Sequence, residues 1–439
     1  MRCDVHAART VVSHSHDLTA DIDAAERPSG VHRPAGRRRA GFALAVVLLP
    51  ILAATVAGLV LLWPSGAQPQ TALDFAADGV SFPHGKVTAL TTGPCGPSDK
   101  VSEIPTPVRV AGEVPTCGTA TVAITDGSEA GPPVNIKVPP AVVESGVGAG
   151  VILMKTAETT GSPATYSIYD VERGRPLVVM AVFFALVTIA VARLRGLLAL
   201  LGLGFAAVVA VAFMLPALVD GQSPLWVGLT GSAAIMFVVL YLAHGLSLRT
   251  TTALLGTFAG LALTALIGGV AVHAAHLTGI SSDDNSLLAQ VAGQIDPRGL
   301  LTCGIILAGL GVLNDVTITQ ASAVWELREA APGMTPRRLY RTAMRIGRDH
   351  IASTIYTIVF AYAGVALPVL LLIELYGQPL SSVLTSADIA EELVRTMASA
   401  IGLVLAVPLT TALAVAVATA DRHRPGTARQ GRAKAGTTI

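Results

Sequence analysis

Residues 300–320 read LLTCGIILAGLGVLNDVTITQ. A helix crosses the hydrocarbon core of a bilayer with about 20 mostly apolar residues, and this stretch is long enough to do so. It holds one acidic or basic side chain, Asp315. A charge inside a span costs at least about 2.5–3.5 kcal/mol on insertion scales, so Asp315 is expected to face protein or water. Gly304, Ala308, Gly311, Asp315, Thr319, Ser322 and Glu326 recur at steps of three and four and share one helix face. Gly304, Ala308, Gly311 and Ser322 are small enough for close approach of a neighbouring helix. The polar part of the same face suits a crevice or interhelical hydrogen bonds. Withdrawing a carboxyl from water favours its protonated form, which makes Asp315 the candidate proton- or ion-coupling group. Asn314, Thr317, Thr319 and Gln320 stand beside it, and Arg348 and Asp349 enter the next span from the same side, with Arg348 a candidate counter-charge.

Working outward from this span, taken as 299–319, seven more stretches have the required length and apolarity: 41–62, 176–192, 196–219, 225–243, 251–276, 351–373 and 394–420. The composition agrees. Of 439 residues, 52% are hydrophobic and 13% charged, with a net charge of +1. An ordinary soluble domain carries roughly 25% charged residues. Near-zero net charge gives no footprint for nucleic acid. The expected fold is therefore mainly α, a polytopic membrane protein with eight transmembrane helices. Its bacterial-type plasma-membrane topology follows from the bias of Lys and Arg toward cytoplasmic loops. Arg193, Arg195, Arg249, Arg328, Arg337, Arg338, Arg341, Arg345 and Arg348 fall on one side, with Arg422, Arg424, Arg429, Arg432 and Lys434. The short loops on the other side hold only Arg298, with Arg395 at the start of the last span. Both termini are expected in the cytoplasm.

The domain reading is a disordered tail over 1–40, an uncleaved signal anchor over 41–63, an extracytoplasmic unit over 64–175, a seven-helix membrane domain over 176–420 and a basic tail over 421–439. Residues 64–175 lack helical periodicity. Short β-type runs occur at Val87–Leu90, Val108–Val110, Thr119–Thr125, Val134–Val138, Val151–Met154 and Tyr166–Ile168, separated by Gly-, Pro- and Asp-containing turns. That spacing suggests a small β-rich barrel or sandwich of OB or SH3-like size. Cys95 and Cys117 both fall here, and an oxidising compartment favours a bridge between them over two free thiols.

Between the sixth and seventh spans, Thr335 before Pro336 reads as an N-cap with proline at the first helical position. Leu339, Ala343 and Ile346 then share a face among arginines, which reads as a basic amphipathic helix on the inner membrane surface, or as plain positive-inside decoration. Glu391 and Arg395, one turn apart, read as a local ion pair. His273 and His276 share a face, but interfacial histidines without a ligand role are the commoner case, and no metal site or cofactor is assigned. No phosphate-binding loop and no aspartyl dyad occurs, so no enzyme chemistry is assigned.

The stretch Ile295–Thr411 resembles the YibE/F family of multi-spanning membrane proteins. The residues carrying the likeness are Ile295-Asp296, Gly299-Leu300-Leu301, Leu310-Gly311, Asp315, Ser322 and Glu326-Leu327. It continues through Ile346-Gly347-Arg348-Asp349, Ala361-Tyr362-Ala363-Gly364, Leu367-Pro368, Arg395-Thr396, Gly402-Leu403 and Pro408-Leu409-Thr410. The resemblance implies a family and a layout, not an activity. A weaker likeness to SecD/SecF and RND exporters rests on Asn314-Asp315, Arg328-Glu329 and the basic helix that follows; it implies a proton-driven machine. From these readings the expected function is a permease-like transporter, proton-coupled through Asp315. The alternative is a membrane scaffold, assembly factor or sensor whose outer unit binds a protein partner. The expected partners are the bilayer and a substrate or protein the sequence does not name. A homo-oligomer is compatible with the sequence.

Overall fold

The computed structural model describes residues 35–65, 80–94, 116–126, 132–156, 164–281, 287–288, 295–377 and 379–420. It opens with α1 (Ala35–Leu61). A small antiparallel sheet follows, made of β1 (His84–Pro94), β2 (Thr116–Ile124), β3 (Val134–Val138), β4 (Gly150–Lys155) and β5 (Tyr166–Val171), with the short helix α2 (Pro140–Ser145) between β3 and β4. The strand order is β3-β2-β1-β4-β5. β1 is the long central strand, and its register shifts between Val87 and Ala89. A bulge of this kind bends a strand, and the two edge strands β3 and β5 approach one another. The sheet therefore curls around its own core of Val87, Ala120, Val122, Val151 and Leu153, closed by Val142 of α2.

Five of the six expected β runs lie in these strands. The run at Val108–Val110 and Cys95 fall outside the described residues. Cys117 stands on β2 opposite Gly93. At the exit of β5, Asp170 accepts from Arg173 Nη1 and from the Val171 amide, both at 2.7 Å. The guanidinium and then the amide hold the Asp170 carboxyl below its usual range.

The remaining elements are helical. They are α3 (Gly174–Val209), continued through a π turn at Ala210–Met214 into α4 (Leu215–Val219), then α5 (Pro224–His244) and α6 (Leu248–Ala274). Next come α7 (Pro297–Ala330), α8 (Pro336–Tyr376), the short α9 (Leu380–Leu384) and α10 (Ala387–Thr419). Caps set several of these starts. Ser247 accepts from the Thr250 amide, Asp296 from Arg298 and Thr335 from Arg338, with Pro297 and Pro336 at the first helical position.

Among the described residues seven helices are long and apolar enough to cross a membrane. The sequence reading counts eight, and the difference is one element: 176–192 and 196–219 form a single helical run, Gly174–Val219. That run is not straight. Arg193 has φ 55° and ψ −133°, and a Cβ built on Gly196 would stand 2.5 Å from the Thr188 carbonyl oxygen. Residues eight apart in a straight helix are separated by about 12 Å along the axis, so the chain doubles back at Arg193. Its dihedrals are those of the first central position of a type II′ turn, where glycine is favoured. Arg193→Gly is expected to raise stability by about 1 kcal/mol, read as a higher melting temperature of the purified protein.

The core of the bundle is α6, α7 and α10, each packed on the other two, with α5 against α7. One face of α6 makes this possible. Gly256, Gly260, Thr264 and Gly268 follow at four-residue steps and meet α10 and α7. A Cβ on Gly256 would collide with the Thr410 hydroxyl, one on Gly260 would lie 2.5 Å from Leu313 Cδ2, and one on Gly268 would lie 2.9 Å from Ile305 Cγ2. Small residues at such spacing let helix backbones approach closely. The close-packing stripe is thus on α6, not on the Gly304–Ser322 face.

A second correction concerns 335–350. The amphipathic piece and the following span are one helix, α8, because nothing between Ile346 and Ile351 stops it. Gly347 lies against Gln320 Oε1 and Val407. Leu339 and Ala343 are buried with Val324, Ala414 and Val415. Leu339 and Ala343 of the apolar face thus pack on the ends of α7 and α10, while Ile346 is exposed.

Candidate functional site

α7 has two unlike faces. Ile305, Ile306, Gly309, Leu310, Leu313, Val316, Thr317, Gln320, Ala321 and Val324 are buried in the bundle. Gly311, Asp315 and Glu326 are exposed and Gly304, Ala308, Thr319 and Ser322 are half-buried. The face singled out in the sequence is real, but it lines an opening. A Cβ on Gly311 would meet nothing within 4 Å, and one on Gly304 would meet only Arg395 Nε at 4.0 Å.

The opening arises because α8 parts from the bundle. Its first third is held by Leu339, Ala343 and Gly347, all buried, whereas beyond His350 only Ile358 is. At the parting point His350 Nε2 lies 3.5 Å from Asp315 Oδ2, with side-chain exposures of 28% and 66%. The separation is within ion-pair reach but long for a hydrogen bond. His350, not Arg348, is therefore the partner of Asp315; Arg348 and Asp349 are exposed. Asp315 is not enclosed by a companion helix, as the sequence reading expects. It stands on the wall of a cleft with one imidazole beside it. Asn314 Oδ1, next to it, is buried with no hydrogen-bond partner among the described residues.

Two of the expected neighbours face the other way. Thr317 is buried, with its hydroxyl 2.7 Å from that of Thr257 on α6. Gln320 is buried and donates from Nε2 to the Ala343 carbonyl at 3.0 Å and to Thr411 Oγ1 at 2.8 Å, tying α7, α8 and α10 together. Thr319 is half-buried on the cleft side. Removing a buried amide leaves its partners unpaired, so Gln320→Leu is expected to cost about 1–3 kcal/mol. The check is the denaturation midpoint, with the Asp315–His350 contact retained.

Toward the other end of α7 lies a crevice of about 580 Å³, lined by Met214, Leu215, Leu300, Leu307, Ala308, Tyr362 and Arg395 among others. Arg395 Nη1 donates to Glu392 Oε2 at 2.8 Å. The sequence reading pairs Arg395 with Glu391, but Glu391 is buried and accepts from the Gly279 amide at 2.9 Å. On one helix face, then, Gly304 beside Arg395 and Asp315 beside His350 are separated by 11 residues, about 16 Å along the axis.

The YibE/F-like protein profile matches residues 180–420, more than half of the chain. This protein belongs to the YibE/F-like family. The match runs from inside α3 to the end of α10, and so takes in α7, α8, the cleft and the crevice. The sheet and α1 lie outside it. No curated protein and no solved structure matches the chain, so the SecD/SecF and RND likeness gains no support from them.

His350 is the residue that sequence reasoning missed. Its signal was its place at the entry of the next apolar run. Two helices joined by a short loop run antiparallel, and polar groups at matching depth on such a pair meet.

Proposed function

We propose that this YibE/F-like chain is a permease-like membrane carrier whose path follows the exposed face of α7, with the Asp315–His350 couple as its proton-responsive station. The observation that carries the reading is the pairing of Asp315 with a histidine at the point where α8 leaves the bundle. Ionisable side chains inside spans mark substrate, ion and proton pathways, and Asp315 has the His350 imidazole within ion-pair reach. Proton transfer at this couple would therefore bias how closely α8 lies against α7. It acts as a carrier, not as an enzyme.

The topology of this proposal has eight crossings. The run Gly174–Val219 counts as two because it doubles back at Arg193. The Ser65 amide and hydroxyl both donate to Asp220 Oδ2, at 2.7 and 2.8 Å. That bond ties the end of α1 to the end of α4, as two crossings between residues 174 and 220 require. The Lys and Arg distribution supports an orientation with both termini in the cytoplasm of a bacterial-type cell and the curled sheet outside.

The test is a pH-gradient flux assay on the full chain in sealed vesicles. Wild-type protein is expected to dissipate an imposed gradient and Asp315→Asn to lose that flux while melting at the wild-type temperature. Equal flux in both would remove the carrier reading and leave the scaffold role.

A further inference from the structure

We propose that the crevice between α4, α7 and α8 binds a single-chain amphiphile with a carboxylate head, and that Arg395 reads the head. The observations come from the crevice and its one cation. The walls contributed by Met214, Leu215, Leu300, Leu307 and Tyr362 are apolar. Small-ligand sites are typically mostly apolar, with a few placed polar groups, and hold about 300–1,000 Å³; this one holds about 580 Å³. That is room for one alkyl chain with a compact head rather than for a two-chain lipid.

Glu391 is engaged by the Gly279 amide, and Glu392 by Arg395 Nη1. Arg395 Nε is buried and has no hydrogen-bond partner among the described residues, and it faces the bare backbone of Gly304. A guanidinium with one terminal nitrogen occupied still offers the edge that includes Nε, and that edge matches a carboxylate. A buried donor left unpaired is destabilising, and a carboxylate head would pair it. Gly304 and Ala308 keep the wall low beneath the head and the first part of the chain. The inference deepens the carrier reading by naming its substrate class, although binding itself does not depend on transport.

The test uses the full chain in phosphatidylcholine nanodiscs with a photoreactive palmitate. Labelling is expected on peptides containing Met214–Leu218, Leu300–Ala308 and Tyr362. Palmitate should compete at least about tenfold better than hexadecanol, the equivalent of one charge-assisted hydrogen bond. Arg395→Gln should erase that preference and Gly304→Leu, which fills the crevice, should abolish labelling. Label spread over the exposed residues 177–191, equal competition by the alcohol, or better competition by phosphatidylglycerol would each overturn the proposal. If Arg395→Gln fails to fold, the wild-type competition ratio and Gly304→Leu still decide it. Asp315→Asn should label like wild type, so loss of flux there would not be mistaken for loss of binding.

Discussion

Gly402→Leu is expected to prevent the helical bundle from forming. A Cβ at position 402 falls on the hydroxyl of Thr264 and within 3.4 Å of the Thr264 Cα. Thr264 has little freedom to move. Its hydroxyl donates to the Gly260 carbonyl at 2.9 Å, and its methyl lies 3.0 Å from where a Cβ on Gly309 would stand. Thr264 is thus wedged between glycines of α7 and α10. Overpacking a tight core by a methyl group costs about 1–3 kcal/mol, so Gly402→Ala should leave folded but less stable protein. A leucine exceeds what backbone shifts can absorb, since native stability itself is only about 5–15 kcal/mol. The measurement is the yield of monodisperse protein after detergent extraction, with the melting temperature of Gly402→Ala beside it. Thr264→Ala should restore part of the stability of Gly402→Ala, because it removes the atoms in conflict. No rescue would place the conflict elsewhere.

The second large effect belongs to the cleft. Asp315→Asn and His350→Gln should each abolish the pH dependence of gradient dissipation, and the double variant should be no worse than either single one. Residues in contact show coupling of about 0.5–3 kcal/mol; at 3.5 Å Asp315 and His350 qualify. Arg348→Gln, by contrast, should leave the pH profile in place, since Arg348 is exposed beside the couple and not part of it. If the two single changes were additive, the imidazole and the carboxylate would not act as a unit. If Arg348→Gln flattened the profile, the pairing inferred from sequence would be right and the geometry wrong.

The legible and illegible parts of this fold differ in kind. The spans were legible because hydrocarbon imposes a length and a composition on any helix that crosses it. The sheet was legible because turn residues punctuate its runs at regular spacing. The caps at Thr335 and Ser247 illustrate local chemistry that needs no tertiary information, and the first was read directly from Thr335-Pro336. The face of α7 was legible as a face, because Asp315 marks it. What that face touches was not. Small residues at helical spacing suit a packed contact and an open wall equally well. Gly304 and Gly311 turned out to line space, whereas Gly256, Gly260 and Gly268 carry the packing. The same limit explains Gln320 and Thr317. Both sit within a turn of Asp315 in sequence, yet their rotation about the helix axis sends them into the core.

The sequence by itself determined that the chain is a polytopic membrane protein with a small β unit after its first helix, and that Asp315 is the one carboxylate within its span. Those properties follow from periodicity, apolarity and the cost of burying charge, which are local. Only the tertiary structure decided that His350 stands beside Asp315, that α8 runs unbroken and parts from the bundle there, and that Arg395 overlooks an apolar crevice. Each of those depends on how far two helices separated in sequence approach one another. That distance is set by which glycines lie at their crossing, a property of pairs of helices and not of either one alone.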